Sequence, residues 1–268
     1  MKEPLVSINV TTFNRSHLLS RCLKSVLNQS YTKCEVIIID DCSSDDTQTI
    51  LKRFVQKDDR VKFFTHRENL GNAEARNTAL KHCSGHYVAF MDDDDEWIDT
   101  DKLKKQVQIF ESAKINNLGI VCTSVRLFSN NHSYEDKLVK KPRNLSTHIL
   151  SKNGIIYSPT VMTKREILLK VGGFDVHLER GVDSDFYRTC ILKFGYNVYF
   201  MSDVTTAVHE YGDDRMTPQK SVVALKKTAS ANLYLIRKYL RFYLRSPKAL
   251  IIRIKNILRA RLMSFILS

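Results

Sequence analysis

No run of about 18 or more consecutive apolar residues occurs in this chain, so no transmembrane helix is expected. The opening residues, Met1-Lys2-Glu3-Pro4, lack the apolar stretch of a secretory signal. The six cysteines (Cys22, Cys34, Cys42, Cys83, Cys122, Cys190) form no C-x-x-C pair, which argues against zinc and redox motifs. Reduced thiols in a cytosolic protein are the expectation. No internal repeat and no low-complexity segment is present. The last absence is local. From Met216 to Ser268 there are twelve Lys or Arg residues and no Asp or Glu. The net charge is +13, so the other 215 residues carry only +1. The excess sits in an apolar-rich tail without a recognisable nucleic-acid motif, and no nucleic-acid partner is expected despite a pI near 9.4.

What is present begins with alternation. Leu5 to Val10, Glu35 to Ile39, Val61 to Phe64 and Tyr87 to Met91 read as strands. Helical patterns lie between them: one with Ser16 as N-cap and Leu18, Leu19, Cys22, Leu23, Val26 and Leu27 on one face, one from Ser44-Asp45-Asp46 to about Gln56, and one from Asn72 to Cys83. Strands alternating with helices predict a mostly parallel sheet with right-handed crossovers. Further on, Leu118 to Phe128 and Ile155 to Met162 read as strands, and Ser129 to Ser146 as an exposed polar loop. Lys164 to Val171 reads as a helix stopped at Gly172-Gly173 and Asp183 to Phe194 as another, with short strands at 197–200 and 205–208.

Polar residues close three of the early strands: Thr11-Thr12-Phe13-Asn14-Arg15, Asp40-Asp41-Cys42-Ser43-Ser44 and Asp92-Asp93-Asp94-Asp95. In a parallel sheet such ends share one edge and face one crevice, where open α/β sheets bind ligands. An aromatic ring there can stack on a base, and a carboxylate can accept an imide N–H. Four adjacent carboxylates repel one another unless positive charge sits among them. A hard divalent cation, Mg²⁺ or Mn²⁺, would supply it while keeping positions open for substrate phosphates. Asn69 to Asn77 opens a helix whose N-terminus attracts anions, and Arg76 on it can fork onto a diphosphate.

In these stretches the chain resembles family 2 glycosyltransferases of the GT-A fold. The resemblance rests on Val6 to Arg15, Val36 to Asp46, Asn69 to Leu80, Phe90 to Trp97, Ser158 to Met162, Val171 to Asp175, and Asp183 within Gly181-Val182-Asp183-Ser184-Asp185. It covers about residues 4–211. It implies a GT-A catalytic domain over 1–215, with a Rossmann-like nucleotide-sugar half to about residue 97 and a mixed acceptor half to 215. It implies an inverting transfer from a nucleotide-diphospho-sugar, with UDP favoured, to a saccharide acceptor in surface-polysaccharide synthesis, with Mn²⁺ or Mg²⁺ as cofactor. By position, Thr12, Phe13, Asn14 and Asp41 would hold the nucleoside, with Arg15 beside them. Arg76 would lie near the ribose or diphosphate. Asp92-Asp93-Asp94 would be the D-x-D element, with Asp94 or Asp95 the direct metal ligand and His209 a further metal contact. The family places a Glu-Asp pair at the base position; here it reads Val182-Asp183, which leaves Asp183 as the base and Asp185 as the weaker candidate. Thr11 stands where proline is common, and Trp97 would either wall the acceptor site or simply pack.

In the basic tail, residues 216–268, Asn232 to Leu267 reads as two helices broken near Ser246-Pro247, either docked on a membrane or packed on the catalytic domain with a solvated basic face. Leu250, Ile254, Ile257, Leu258, Leu262 and Phe265 share one face, beside Lys248, Lys255 and Arg259. Such a helix suits an anionic membrane surface. The expectation is a cytoplasmic protein, peripheral on the inner face of the membrane, acting on an acceptor carried by a polyprenyl diphosphate. Two rivals remain in view. A sugar nucleotidyltransferase would want glycines after the first strand, where Thr11-Thr12-Phe13-Asn14 has none. A catalytically inactive nucleotide-sugar binder is suggested by Val182.

Overall fold

The computed structural model describes residues 3–129, 134–152, 155–210 and 221–267. Its first half alternates β1 (Val6–Thr12), α1 (Ser16–Leu27), β2 (Cys34–Asp40), α2 (Thr47–Lys57), β3 (Val61–Thr65), α3 (Asn72–His82) and β4 (Tyr87–Asp92). β1 pairs in parallel with both β2 and β4, and β2 pairs in parallel with β3. Every residue of β2 is buried, as expected of a strand covered by helices on both faces. The order β3-β2-β1-β4 reverses direction between β1 and β4. That is the switch point at which a crevice opens beyond the strand ends. Thr11-Thr12 and the aspartate run flank it.

Ser16 is the first helical residue of α1 and not its cap. Its N–H donates instead to Asp45 Oδ2 at 2.9 Å. The helix start is thereby tied to the loop after β2, on the rim of the crevice.

The second half runs β5 (Glu96–Trp97), α4 (Lys102–Ser112), β6 (Leu118–Ser129), β7 (Tyr134–Lys137), α5 (Leu145–Ser151), β8 (Met162–Lys164), α6 (Arg165–Val171), α7 (Val182–Arg188), β9 (Asn197–Glu210), α8 (Val222–Lys238), α9 (Leu240–Leu244) and α10 (Pro247–Ile266). β8 joins the halves, lying antiparallel to both β4 and β6. The sheet continues β8-β6-β9-β5, so it is parallel at one end and mixed at the other.

Three expectations need correction. The polar stretch after Ser129 contains β7, an exposed strand on the edge of β6, and then α5. The apolar run from Ile155 is not a strand until Met162, because Ser158–Thr160 forms a 3₁₀ turn. Pro159 cannot donate to a ladder. The carbonyls of Pro159 and Thr160 accept from Trp97 Nε1 (2.7 Å) and Gln106 Nε2 (2.8 Å). Residues 197–200 and 205–208 belong to one strand, β9, whose pairing with β6 shifts register three times.

The C-terminal helices share the main core. Leu235, Tyr239, Tyr243 and Ala249 belong to the same buried cluster as Phe90, Phe174 and Phe186. Tyr243 OH and Arg253 Nε both donate to the Leu150 carbonyl of α5. The expected boundary between residues 215 and 216 lies outside the described residues.

Candidate active site

Beyond the β1 and β4 ends lies a cavity of about 230 Å³, lined by Thr11, Thr12, Phe13, Arg15, Asp41, Asn72, Ala75, Asp92, Asp93, Asp94 and Asp183. The sequence distance spanned is 172 residues, yet the strand ends and the start of α7 meet at one wall. A second cavity of about 750 Å³ adjoins it and shares Phe13, Arg15, Asn72 and Asp183; Asn14 and Arg180 also line it.

The aspartate run forms a tight turn, with Asp95 N–H donating to the Asp92 carbonyl. Two arginines offset much of its charge. Arg15 Nη1 donates to Asp93 Oδ1 (2.9 Å) and Asp94 Oδ2 (2.7 Å). Arg76 Nη2 donates to Asp92 Oδ1 at 2.6 Å and lies 3.2 Å from Asp183 Oδ1. Arg21 adds a bond to the Asp94 carbonyl at 2.6 Å. The positive charge expected of a cation alone is thus partly built into the protein. It does not suffice. Burial, with Arg76 pulling the other way, pushes Asp92 up to about 7, and burial against Arg15 pushes Asp93 up to about 6. Burial and Asp94 raise Asp95 well above the carboxylate range. For Arg15, burial acts against the charge, but Asp93 and Asp94 hold its pKa above the usual value.

Arg76 does not stand at the cavity surface. Its side chain is 1% exposed and its guanidinium lies over the rings of Phe90 and Phe174. Its Nε donates to Asn72 Oδ1 at 3.1 Å. Its Nη2 faces the two carboxylates in front of it, so it supports the wall from behind.

Asp41 is similarly engaged. It accepts from Leu70 N–H (2.9 Å), Gly71 N–H (2.7 Å) and the His66 ring at Nδ1 (2.7 Å). A carboxylate has about four lone-pair sites, so one remains for a ligand. Gly71 adopts φ +84°, a conformation L side chains rarely take, and so turns its N–H onto the carboxylate. Asn14, at φ +51°, accepts from Ser44 N–H and lines only the larger cavity. Thr12 lines the smaller one, and Phe13 lines both.

Asp183 sits in the first turn of α7, on the wall common to both cavities. Its Oδ1 is buried, with Arg76 as ionic neighbour and no hydrogen bond. The side chain as a whole is 28% exposed, so with Oδ1 turned in toward Arg76 the rest of the carboxylate faces the cavities.

Among the described residues, no three His, Cys, Asp or Glu side chains converge tightly enough to hold an ion by themselves. That does not argue against Mg²⁺ or Mn²⁺ at a phosphate site, which takes one or two carboxylates and completes its shell with substrate and water. Asp94 meets the requirement: its side chain is 25% exposed on the cavity wall. Asp95 is buried, with Oδ1 accepting from the His209 N–H at 3.1 Å, and lines neither cavity. His209 stacks on Phe128 with centroids 5.0 Å apart, and its Nε2 is 4.0 Å from Glu96. Burial lowers its pKa to about 4, so the ring is neutral near pH 7. Trp97 is 3% exposed, its ring under Lys102 Nζ at 4.1 Å, and it packs without lining either of the two cavities.

Sequence reading missed His66, Asn72 and Arg21. His66 follows β3 directly and so continues the row of polar strand ends, a signal available but unused. Asn72 and Arg21 act through contacts spanning up to 73 residues, which no local pattern carries.

Residues 7–172 match the sequence profile of the Glycosyl transferase family 2. A Bacillus subtilis protein assigned to teichuronic acid biosynthesis as a glycosyltransferase is 33% identical over 201 residues, covering 75% of this chain and 77% of its own length. An Escherichia coli UDP-Glc:α-D-GlcNAc-diphosphoundecaprenol β-1,3-glucosyltransferase is 37% identical over 168 residues, 63% of either chain. Among solved structures, a Pyrobaculum calidifontis mannosyltransferase in complex with GDP-Man and Mn²⁺ superposes with a TM-score of 0.65 at 23% identity, over 97% of this chain and 76% of its own. Staphylococcus aureus TarS in complex with UDP-GlcNAc gives 0.67 at 19% identity, over 87% of this chain and 66% of its own. At such identities the structures speak to the fold, and it is the GT-A fold that the sequence motifs imply.

Proposed function

The chain belongs to the glycosyl transferase family 2, and we propose that it transfers a sugar with inversion from a UDP-sugar to a lipid-linked saccharide in surface-polysaccharide synthesis. The observation that carries this is the position of Asp183 on the wall shared by the two cavities, with one carboxylate oxygen turned in 3.2 Å from Arg76 and the side chain 28% exposed. The inactive-binder alternative raised by Val182 finds no support, since the relatives above are named as transferases.

In this reading the smaller cavity takes the nucleoside diphosphate. Phe13 offers a face for the base, and Asp41 has one lone pair left for an imide N–H. Asp94 would hold a Mn²⁺ or Mg²⁺ ion, with Asp92 and Asp93 adding negative potential. Bound there, the ion would stabilise charge on the departing diphosphate. Asp183 takes the proton from the acceptor hydroxyl as it attacks the anomeric carbon from the face opposite the diphosphate. Arg76, 3.2 Å from Asp183 Oδ1, keeps the carboxylate aimed while it waits.

The test is a panel of nucleotide sugars with Mn²⁺, Mg²⁺ or chelator, scored for transfer to a polyprenyl-diphosphate saccharide. One donor should turn over only with a cation, and its α-linked sugar should appear β-linked in product. Retention of configuration, or no cation-dependent turnover with any donor, would sink the reading.

The chain end supports a membrane setting. No described helix is long and apolar enough to cross a bilayer. α10 buries Ala249, Arg253, Ala260 and Ser264 and turns Ile251, Ile254, Leu258, Leu262 and Phe265 outward. Leu258, Leu262 and Phe265 are 60%, 61% and 80% exposed. At about 100° per residue these form one stripe, with Lys255 and Arg259 on one shoulder and Arg261 on the other. This narrows the face read from sequence, because Leu250 and Ile257 turn partly inward. Each cation near an anionic leaflet contributes about 1 kcal/mol. The full chain should co-sediment with phosphatidylglycerol vesicles, and a Leu258→Glu/Leu262→Glu variant should stay in the supernatant. Equal sedimentation of the two would remove α10 as the docking face.

A further inference from the structure

Several side chains of α8 and that of Tyr239, the residue that follows it, none of them used by the reaction above, converge on the short stretch that carries Asp183. Asp175 and Asp185 bracket it in sequence. Lys238 reaches both: it ion-pairs with Asp175, and its Nζ lies 2.7 Å from Asp185 Oδ2. Tyr239 OH donates to Asp185 Oδ1 at 2.8 Å, and Tyr234 OH to Asp175 Oδ2 at 2.8 Å. Between the bracketing residues, Arg180 Nη1 donates to Thr228 Oγ1 (2.7 Å) and to the Ala224 carbonyl (3.1 Å).

These bonds are sheltered. The Asp185 side chain is 3% exposed and Tyr239 is fully buried. Satisfied polar networks away from water fix geometry more tightly than exposed ones. The stretch they hold has little rigidity of its own. α7 has seven residues and runs on into one π-helical turn, Thr189–Lys193, and Gly181 just before it adopts φ +73°. A helix this short is marginal without tertiary support. Asp183 lies two residues from Asp185, on the same first turn. Whatever fixes Asp185 therefore fixes the direction in which Asp183 points.

We infer that Lys238 and Tyr239 are positioning residues for the transfer, acting through Asp185 to hold Asp183 at its attack geometry. This rests on the reading of Asp183 as the base. The basic C-terminal segment is then part of the catalytic apparatus as well as a docking element. A misplacement of about 1 Å at a reacting group costs on the order of 10²-fold in rate.

The experiment compares Lys238→Met, Tyr239→Phe and Lys238→Arg in the full chain, assayed where circular dichroism shows each folded. Lys238→Met and Tyr239→Phe should lower kcat by about tenfold or more and leave the KM for donor unchanged. Lys238→Arg, which can still bridge both carboxylates, should recover most of the rate. In an Asp183→Asn background, Lys238→Met and Tyr239→Phe should cost nothing further, because the group they position is gone. Tyr239→Phe removes one hydroxyl and keeps the test alive if Lys238→Met does not fold. Wild-type kcat in the folded variants, a loss confined to donor KM, or a full additional loss in the Asp183→Asn background would overturn the inference. Full activity of Asp183→Asn itself would instead sink the base assignment, so the two failures are distinguishable.

Discussion

Replacing Asp183 by Asn should lower kcat by about 10²- to 10⁴-fold, the usual worth of a positioned general base, while donor affinity stays unchanged. Asn keeps the shape of the side chain and removes only its ability to accept a proton. The neighbouring arginine retains Asp92 at 2.6 Å, so no buried charge is left unpaired. The fold should therefore survive. Steady-state kinetics on the variant separate the possibilities. A drop in kcat with donor KM intact marks a group used in the transition state. A rise in KM alone would mark a binding residue, and no change at all would show that the base is another group.

The second large effect is expected at Asp94. Asp94→Asn should lower kcat/KM by about 10²-fold or more, because the cation's contribution to the leaving diphosphate amounts to several kcal/mol. Asp95→Asn should do less to cation dependence, since its carboxylate is turned toward the His209 backbone. pH supplies an independent check. Asp92 and Asp93, pushed up to about 7 and about 6, are ionised at pH 8 and largely protonated by pH 5.5. A cation binds the ionised turn and displaces protons from it. Cation-dependent donor affinity should therefore rise from pH 5.5 to pH 8. A flat profile, or one falling with pH, would disagree with the buried acidic turn as the cation's seat.

Much of this site was legible because it is built from strand ends. Thr12, Phe13, Asp41 and the aspartate run each follow a largely apolar run of strand length, and a parallel sheet puts such ends on one edge. Asp183 was legible only through the family's motif order, since a lone Asp at a helix start has a plain capping role. What stayed hidden is long-range. Nothing local shows that Arg15 reaches Asp93 and Asp94, 78 and 79 residues on. Arg76 reads as a phosphate ligand on a helix N-terminus, yet its immediate surroundings include Phe174, 98 residues away, which draws it under the surface. The run from Ile155 has strand composition, but Trp97 and Gln106 take its carbonyls from the side. The basic tail showed its amphipathic face in sequence. Its grip on Asp175 and Asp185 depends on tertiary packing and could not be read there.

The most direct measurement is calorimetric titration of a UDP-sugar into the full chain at pH 8, with Mn²⁺ and then with chelator, repeated on Asp94→Asn. The expected result is binding to the wild type that weakens at least about tenfold on chelation, and binding to Asp94→Asn that is weak in both conditions. Equal affinity with and without the cation, or an Asp94→Asn variant that responds to Mn²⁺ as the wild type does, would contradict a cation-completed diphosphate seat at the end of β4.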